Sequence, residues 1–354
     1  MDNYPIFNKE YLNEISDNTT NNFKKYLHYT NDYINKIQKE STKYSEIPLT
    51  FYPIAKNIRI VSSFMVKNIL NGEKSYIDNK ARDGEEDYWI NCKKMEKWYP
   101  WLWARGRIEN DYTNKEGWLY YFDSFNEIND INLESNEKLK PPDNLELFFL
   151  YLSSVKYTFQ LNKSYQKIIH NLVCEINWPS DSKILAVQIR RGDTCSKNCK
   201  ISNRPCFDLD HYIEKIDLML SQNNYEYIYI STDSDEEIEI IKLKRPKWKL
   251  LYLDINRKLF FRLNGESVSS LVDLEISCSN NPDNIPFIVD TALYDLYFIS
   301  KCQGYISTMS ISHFSLLGWY LQISEQEKLT PYINMNIEPL DMTKKNLLLF
   351  IDLY

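Results

Sequence analysis

The chain has 354 residues, with 42 Lys+Arg against 49 Asp+Glu for a formal net charge of -7, and it is 43% hydrophobic and 14% aromatic. That length suits two domains of ordinary size, and the composition excludes disordered and fibrous classes. The acidic balance speaks against a partner gripped through a basic surface, so no nucleic acid is expected.

No stretch reaches the roughly 18 apolar residues of a membrane-spanning helix, and Met1 to Glu10 lacks a signal-peptide profile. The sequence therefore predicts no integral membrane segment and a cytoplasmic or other non-secretory soluble compartment. Seven cysteines, an odd and sparse set, predict a reducing environment and no disulfide framework.

Along the chain, the first ~50 residues show weak helical periodicity and little glycine, the pattern of helical or peripheral packing. Between Phe51 and Trp103 lie a short apolar run, Ile58 to Val66, and a dense aromatic stretch, Trp98-Tyr99-Pro100-Trp101-Leu102-Trp103. The rings read either as a packing cluster or as a sugar-binding face. Asn126 to Asp143, with Pro141-Pro142 near its end, reads as a loop, and Leu145 to Ile176 as largely helical.

The second half is more regular. Ile184 to Ile189 is a short apolar run stopped by charge and Gly192, the pattern of a buried parallel strand ending in a loop. Asp208 to Ser221 is a predicted helix, Tyr227 to Ile230 a strand, Ser234 to Leu243 a helix and Leu250 to Leu253 a strand. A helix through Ile288, Leu293 and Ile299, a strand at Gly304 to Ser307 and a helix from Ser312 to Ile323 follow. Alternation of this kind implies a doubly wound α/β domain whose ligands bind at the carboxyl ends of the strands.

The informative residues should then follow each strand. After the first come Arg190-Arg191-Gly192-Asp193, two of only ten arginines in the chain. Guanidinium groups bind phosphate bidentately and stabilise a departing diphosphate; a solvated surface cluster or a structural ion pair is the other reading. After the second strand come Thr232-Asp233-Ser234-Asp235. These supply a helix cap and an acidic first turn, or else an Asp-x-Asp cation site on a nucleotide diphosphate. After the last come Ser307-Thr308-Met309-Ser310, hydroxyls leading into a helix N-terminus, where anions bind.

With eight glycines in all, the chain has no glycine-rich dinucleotide loop or P-loop. Cys195, Cys199, Cys206 and His211 can be drawn as a zinc site, but their irregular spacing favours a Cys195–Cys206 link or free thiols. The four histidines (28, 170, 211, 313) are scattered, so neither a histidine metal cluster nor a catalytic triad is read.

The order Gln188-Ile-Arg190-Arg191-Gly-Asp193, then Tyr229-Ile-Ser-Thr232-Asp233, then Leu293-Tyr-Asp295, then Ser307-Thr308-Met-Ser310 resembles the donor domain of the GDP-fucose fucosyltransferase superfamily, nearest its core α1,6- and O-fucosyltransferase branches. The resemblance covers about residues 181–325. It implies an α/β, GT-B-like fold of two lobes: residues 1–180 form an acceptor-side lobe, more helical in character, and residues 181–354 a Rossmann-like donor lobe with a doubly wound parallel sheet.

The resemblance also implies an inverting glycosyltransferase that needs no metal and no cofactor, with GDP-fucose as nucleotide-sugar donor and a glycan or glycoprotein as acceptor. Arg190 would meet the donor phosphates, with Arg191 and Asp193 shaping the catalytic crevice. Gln188 and Asp295 would face the guanine, Thr308 and Ser310 the phosphate, and Thr232 and Asp233 the same cleft. The chain departs from the family twice: Gln188 stands where a histidine is usual, and Asn198 where the N-glycan branch has its glutamate base. Asp193 and Asp208 are then the candidate bases. Two other readings stay open, a metal-dependent transferase using Asp233 and Asp235 and a nucleotide-sugar or glycan-binding protein without turnover.

Overall fold

In the computed structural model, the described residues are 20–47, 54–77, 122, 147–191, 195, 206–260, 284–308 and 312–335. The aromatic stretch 98–103, Asp193, Asn198, Cys199 and Ser310 lie outside them.

The centre is a five-stranded parallel sheet in the order β5-β4-β3-β6-β7, formed by Ile184–Ile189 (β3), Tyr227–Thr232 (β4), Leu250–Leu251 (β5), Gly304–Ser307 (β6) and Tyr332–Asn334 (β7). The chain starts in the middle at β3, builds outwards through β4 and β5, then returns to β3's other side with β6 and β7. This is a doubly wound order, and its reversal falls between β3 and β6, where such sheets bind ligands. Every residue of β3 is buried, Gln188 included, as a central parallel strand of mostly apolar residues requires.

The two-residue period of the strands divides two layers. Leu185, Val187 and Ile189 face one core together with Ile213 and Ile216 of α5 (Leu209–Gln222) and Ile238 and Ile241 of α6 (Asp235–Lys244). Ile184 and Ala186 of β3, with Tyr229 and Tyr305, face the other, which contains Leu293, Leu296 and Ile299 of α7 (Asn284–Lys301) and Leu317, Trp319 and Tyr320 of α8 (His313–Gln326). Two glycines mark close approaches. A methyl group on Gly304 would collide with the Tyr225 hydroxyl, and one on Gly318 of α8 would lie 3.2 Å from both Ile299 and the Tyr305 hydroxyl.

The amino-terminal part is helical with one small sheet. Helices α1 (Thr20–Glu40), α2 (Ile54–Leu70), α3 (Leu147–Thr158) and α4 (Lys163–Glu175) accompany β1 (Tyr44–Ile47) and β2 (Lys74–Ile77), which pair in parallel across α2. This β1–α2–β2 unit was not expected from the sequence. Its strands are four residues each and half polar, too short to stand out from a helical background. Both α2 and α3 pack against α8, so their apolar residues belong to the same core as α7 and α8. Asn162, part of a sequon, is the cap of α4, where its side-chain oxygen accepts from Tyr165 N at 2.9 Å. No helix among the described residues is long and apolar enough to cross a membrane.

Cys195 and Cys206 are joined in a disulfide. That removes two of the four groups drawn as a zinc site and is the first of the two alternatives, link or free thiols, read from the cysteine spacing.

Candidate functional site

The carboxyl ends of β3, β4 and β6 bring together Gln188, Arg190, Arg191, Thr232, Asp233 and Thr308, because these strands are hydrogen-bonded neighbours in one parallel register. Gln188 lies opposite Ser231 and Ile189 opposite Thr232.

The two arginines have different surroundings. Arg191 turns into the α5/α6 layer, where Nε and Nη2 donate to the two carboxylate oxygens of Glu237 at 2.5 and 3.2 Å and Nη1 donates to the Phe207 carbonyl at 2.5 Å. Nη1 also lies 3.6 Å from each sulfur of the Cys195–Cys206 disulfide. Its guanidinium is thus committed to the protein, the ion-pair reading of the arginine pair. The strand period puts Arg190, half-buried, on the opposite face, that of Gln188 and the α7/α8 layer.

Asp233 fixes this divergence, since its Oδ1 accepts from the backbone N–H of Arg191 at 2.8 Å and ties the end of β3 to the end of β4. Thr232 Oγ1 accepts from Ser234 N at 3.2 Å, a turn-forming contact at the start of α6. Asp235 pairs at 2.9 Å with Arg257, whose residue is only 3% exposed and lies in the short 3-10 helix Arg257–Phe260. Arg257 also donates to the carbonyls of Thr232 at 3.0 Å and Leu253 at 2.8 Å, so one buried side chain ties β4, the segment after β5 and the start of α6 together. Sequence patterns did not point to this residue. A lone arginine after a short strand carries no local signal, and its partners meet only in the fold.

Gln188 is buried at the reversal point; its Oε1 accepts from the hydroxyls of Ser315, in the first turn of α8, and of Tyr305, the latter at 3.4 Å. Asp295 on α7 reaches the same layer. Its oxygens accept from the Tyr229 hydroxyl at 2.5 Å and the Ser231 hydroxyl at 2.9 Å. Burial pushes its carboxyl up to about 6, against the lowering effect of those two hydrogen bonds and of the charge on Arg257. Desolvation and the same carboxylate raise the Tyr229 phenol well above its usual value, so this hydroxyl is a fixed donor. Asp295 therefore holds β4 against α7.

Thr308 directly follows β6, buried, and four residues later Ser312 caps α8, its hydroxyl accepting from Ser315 N at 3.3 Å. Asp208, a candidate base, is the exposed cap residue of α5, on the layer towards which Arg191 turns.

No protein-family model matches the chain, and no curated protein sequence does either. Among solved structures, it is similar to the fucosyltransferase NodZ from Bradyrhizobium, at 13% identity and a TM-score of 0.41 over 83% of this chain and 95% of that one. It is also similar to NodZ α-1,6-fucosyltransferase soaked with GDP-fucose, at 12% identity and 0.40 over 79% and 93%. POFUT1 in complex with GDP-fucose matches at 10% identity and 0.34 over 52% of this chain, which spans about half (49%) of POFUT1's length.

Proposed function

We propose that the chain is a glycosyltransferase that moves fucose from GDP-fucose to a glycan or protein-linked sugar, with inversion and without a metal or other cofactor. The observation that carries this reading is the placement of Arg190 and Thr308 at the carboxyl ends of β3 and β6, the two strands flanking the reversal of sheet order. The ordered motifs around them resemble the fucosyltransferase donor site.

In this reading the guanidinium of Arg190 and the hydroxyl of Thr308 neutralise the diphosphate as the sugar–oxygen bond breaks, a job of charge stabilisation and positioning. Arg191, held by Glu237, and Asp233, held on the Arg191 backbone, keep Arg190 in place. Residues 181–354 form the donor lobe and residues 1–180 the acceptor side, in a GT-B arrangement; Ser310 adds a hydroxyl to the phosphate site and Asp193 is a candidate base. The pairing of Asp235 with Arg257 supports the metal-free form, since a cation on Asp233 and Asp235 would compete with a buried guanidinium.

The test is a thermal-shift and calorimetric panel of GDP, GDP-fucose, UDP- and dTDP-sugars, joined to an assay for GDP release. Selective stabilisation by GDP and GDP-fucose with GDP released is the expected result. Binding without release would mark a binding protein, and preference for a uridine or thymidine donor would overturn the donor.

A further inference from the structure

The amino-terminal helices bring a charge to the α8 end of the crevice. Arg59 lies in the middle of α2 among buried neighbours, Ile58, Val61 and Ser62, and is itself only 7% exposed. Its Nη1 meets His313 Nδ1 at 2.6 Å, which puts the guanidinium on the first turn of α8, directly after the Ser312 cap. An arginine is always charged and always the donor, so His313 accepts through Nδ1, is neutral, and carries its proton on Nε2.

Among the described residues, that leaves the charge without a carboxylate to balance it. A neutral imidazole does not cancel it, the Arg59 Nε–H has no hydrogen-bond partner, and no carboxylate pairs with Arg59 among the described residues. The N-terminus of α8 carries positive partial charge as well, so the guanidinium sits beside a field of its own sign. Burying a cation in such a place is unfavourable in the protein alone. An oxyanion between the two reverses the sign of every one of these interactions.

We propose that Arg59 and the first turn of α8, with His313 as the group that orients the guanidinium, form an oxyanion site for the diphosphate of the donor, contributed from the amino-terminal side. The inference rests on the glycosyltransferase reading for the identity of the anion; the site itself rests on the buried guanidinium, which has His313 as a neutral partner, an Nε–H with no hydrogen-bond partner, and no carboxylate beside it among the described residues. It makes Arg59 a binding residue from the amino-terminal side, and it ties donor binding to the seating of α2 on α8.

Calorimetry on the full chain with inorganic diphosphate, GDP and guanosine, for wild type, Arg59→Met and Arg59→Lys, tests it. Arg59→Met is expected to weaken diphosphate and GDP by about tenfold or more and leave guanosine unchanged, with Arg59→Lys in between. Diphosphate and GDP bound equally by wild type and Arg59→Met would overturn the site, as would a wild type that binds neither. Should Arg59→Met not fold, Arg59→Lys decides: an unchanged diphosphate affinity overturns the proposal, and a several-fold loss with unchanged guanosine affinity supports it. A wild type that binds diphosphate through Arg59 but discriminates against GDP would sink the GDP-donor reading and leave the oxyanion site standing.

Discussion

Glu237 of α6 holds Arg191 of the β3 loop through both carboxylate oxygens, Nε at 2.5 Å and Nη2 at 3.2 Å, with the two side chains only 10% and 17% exposed. The pair commits the second of two consecutive arginines to the α5/α6 layer, where it anchors the end of β3. Glu237→Gln would leave Arg191 a buried charge with half a partner, and a loss of about 3–5 kcal/mol is expected in urea unfolding. Replacing both with leucine should recover much of that loss, because the desolvation cost of the pair disappears with it. Unaltered stability of the single variant would contradict the burial of this pair.

Asp295 should make stability depend on pH in an unusual direction. Its folded value of about 6 lies above the roughly 4 of an unfolded aspartate, so the native state holds a proton that the unfolded chain has lost between those values. The contribution is fully present below about pH 4 and is lost as pH rises through 6. Compared with Asp295→Asn, wild type should gain about 1.3 kcal/mol on going from pH 7.5 to 5. Parallel pH profiles for the two proteins would show that Asp295 is not desolvated as described.

Gly304→Ala is expected to destabilise by about 1–3 kcal/mol, since the added methyl group would overlap the Tyr225 hydroxyl and stand 2.7 Å from the ring carbon that bears it. Tyr225 in turn donates to the Gln303 carbonyl at 3.2 Å, so the ring cannot turn aside without losing that bond. A melting temperature equal to wild type would show that the ring moves freely.

Transfer activity should survive EDTA and should not rise with manganese. Complete inactivation that manganese reverses, together with a cation bound to Asp233 or Asp235, would show that the Arg257–Asp235 pair opens in the working enzyme.

The sheet domain was legible because each strand is a short apolar run ending at polar or charged residues, and the helices between carry a 3.6-residue period. β7, Tyr332–Asn334, escaped notice, as three residues carry no pattern, and so did β1 and β2. The positions of Gln188, Arg190, Thr232, Asp233 and Thr308 followed from where the strands stop. What did not follow was the direction of each side chain. That Arg191 would meet Glu237 and Arg257 would meet Asp235 depends on how α6 and the chain after β5 pack, and the approach of Arg59 to His313 spans more than half of the chain. Local periodicity holds no information about partners so far apart.

Whether Arg190 holds the departing diphosphate of GDP-fucose is decided by one comparison: GDP release from GDP-fucose by wild type and by Arg190→Ala, with calorimetry of GDP on both. The expected result is a folded variant that loses about 2–4 kcal/mol of transition-state stabilisation, roughly a 30- to 1,000-fold fall in turnover, with GDP bound more weakly. A folded Arg190→Ala protein that releases GDP at the wild-type rate would contradict the role given to Arg190.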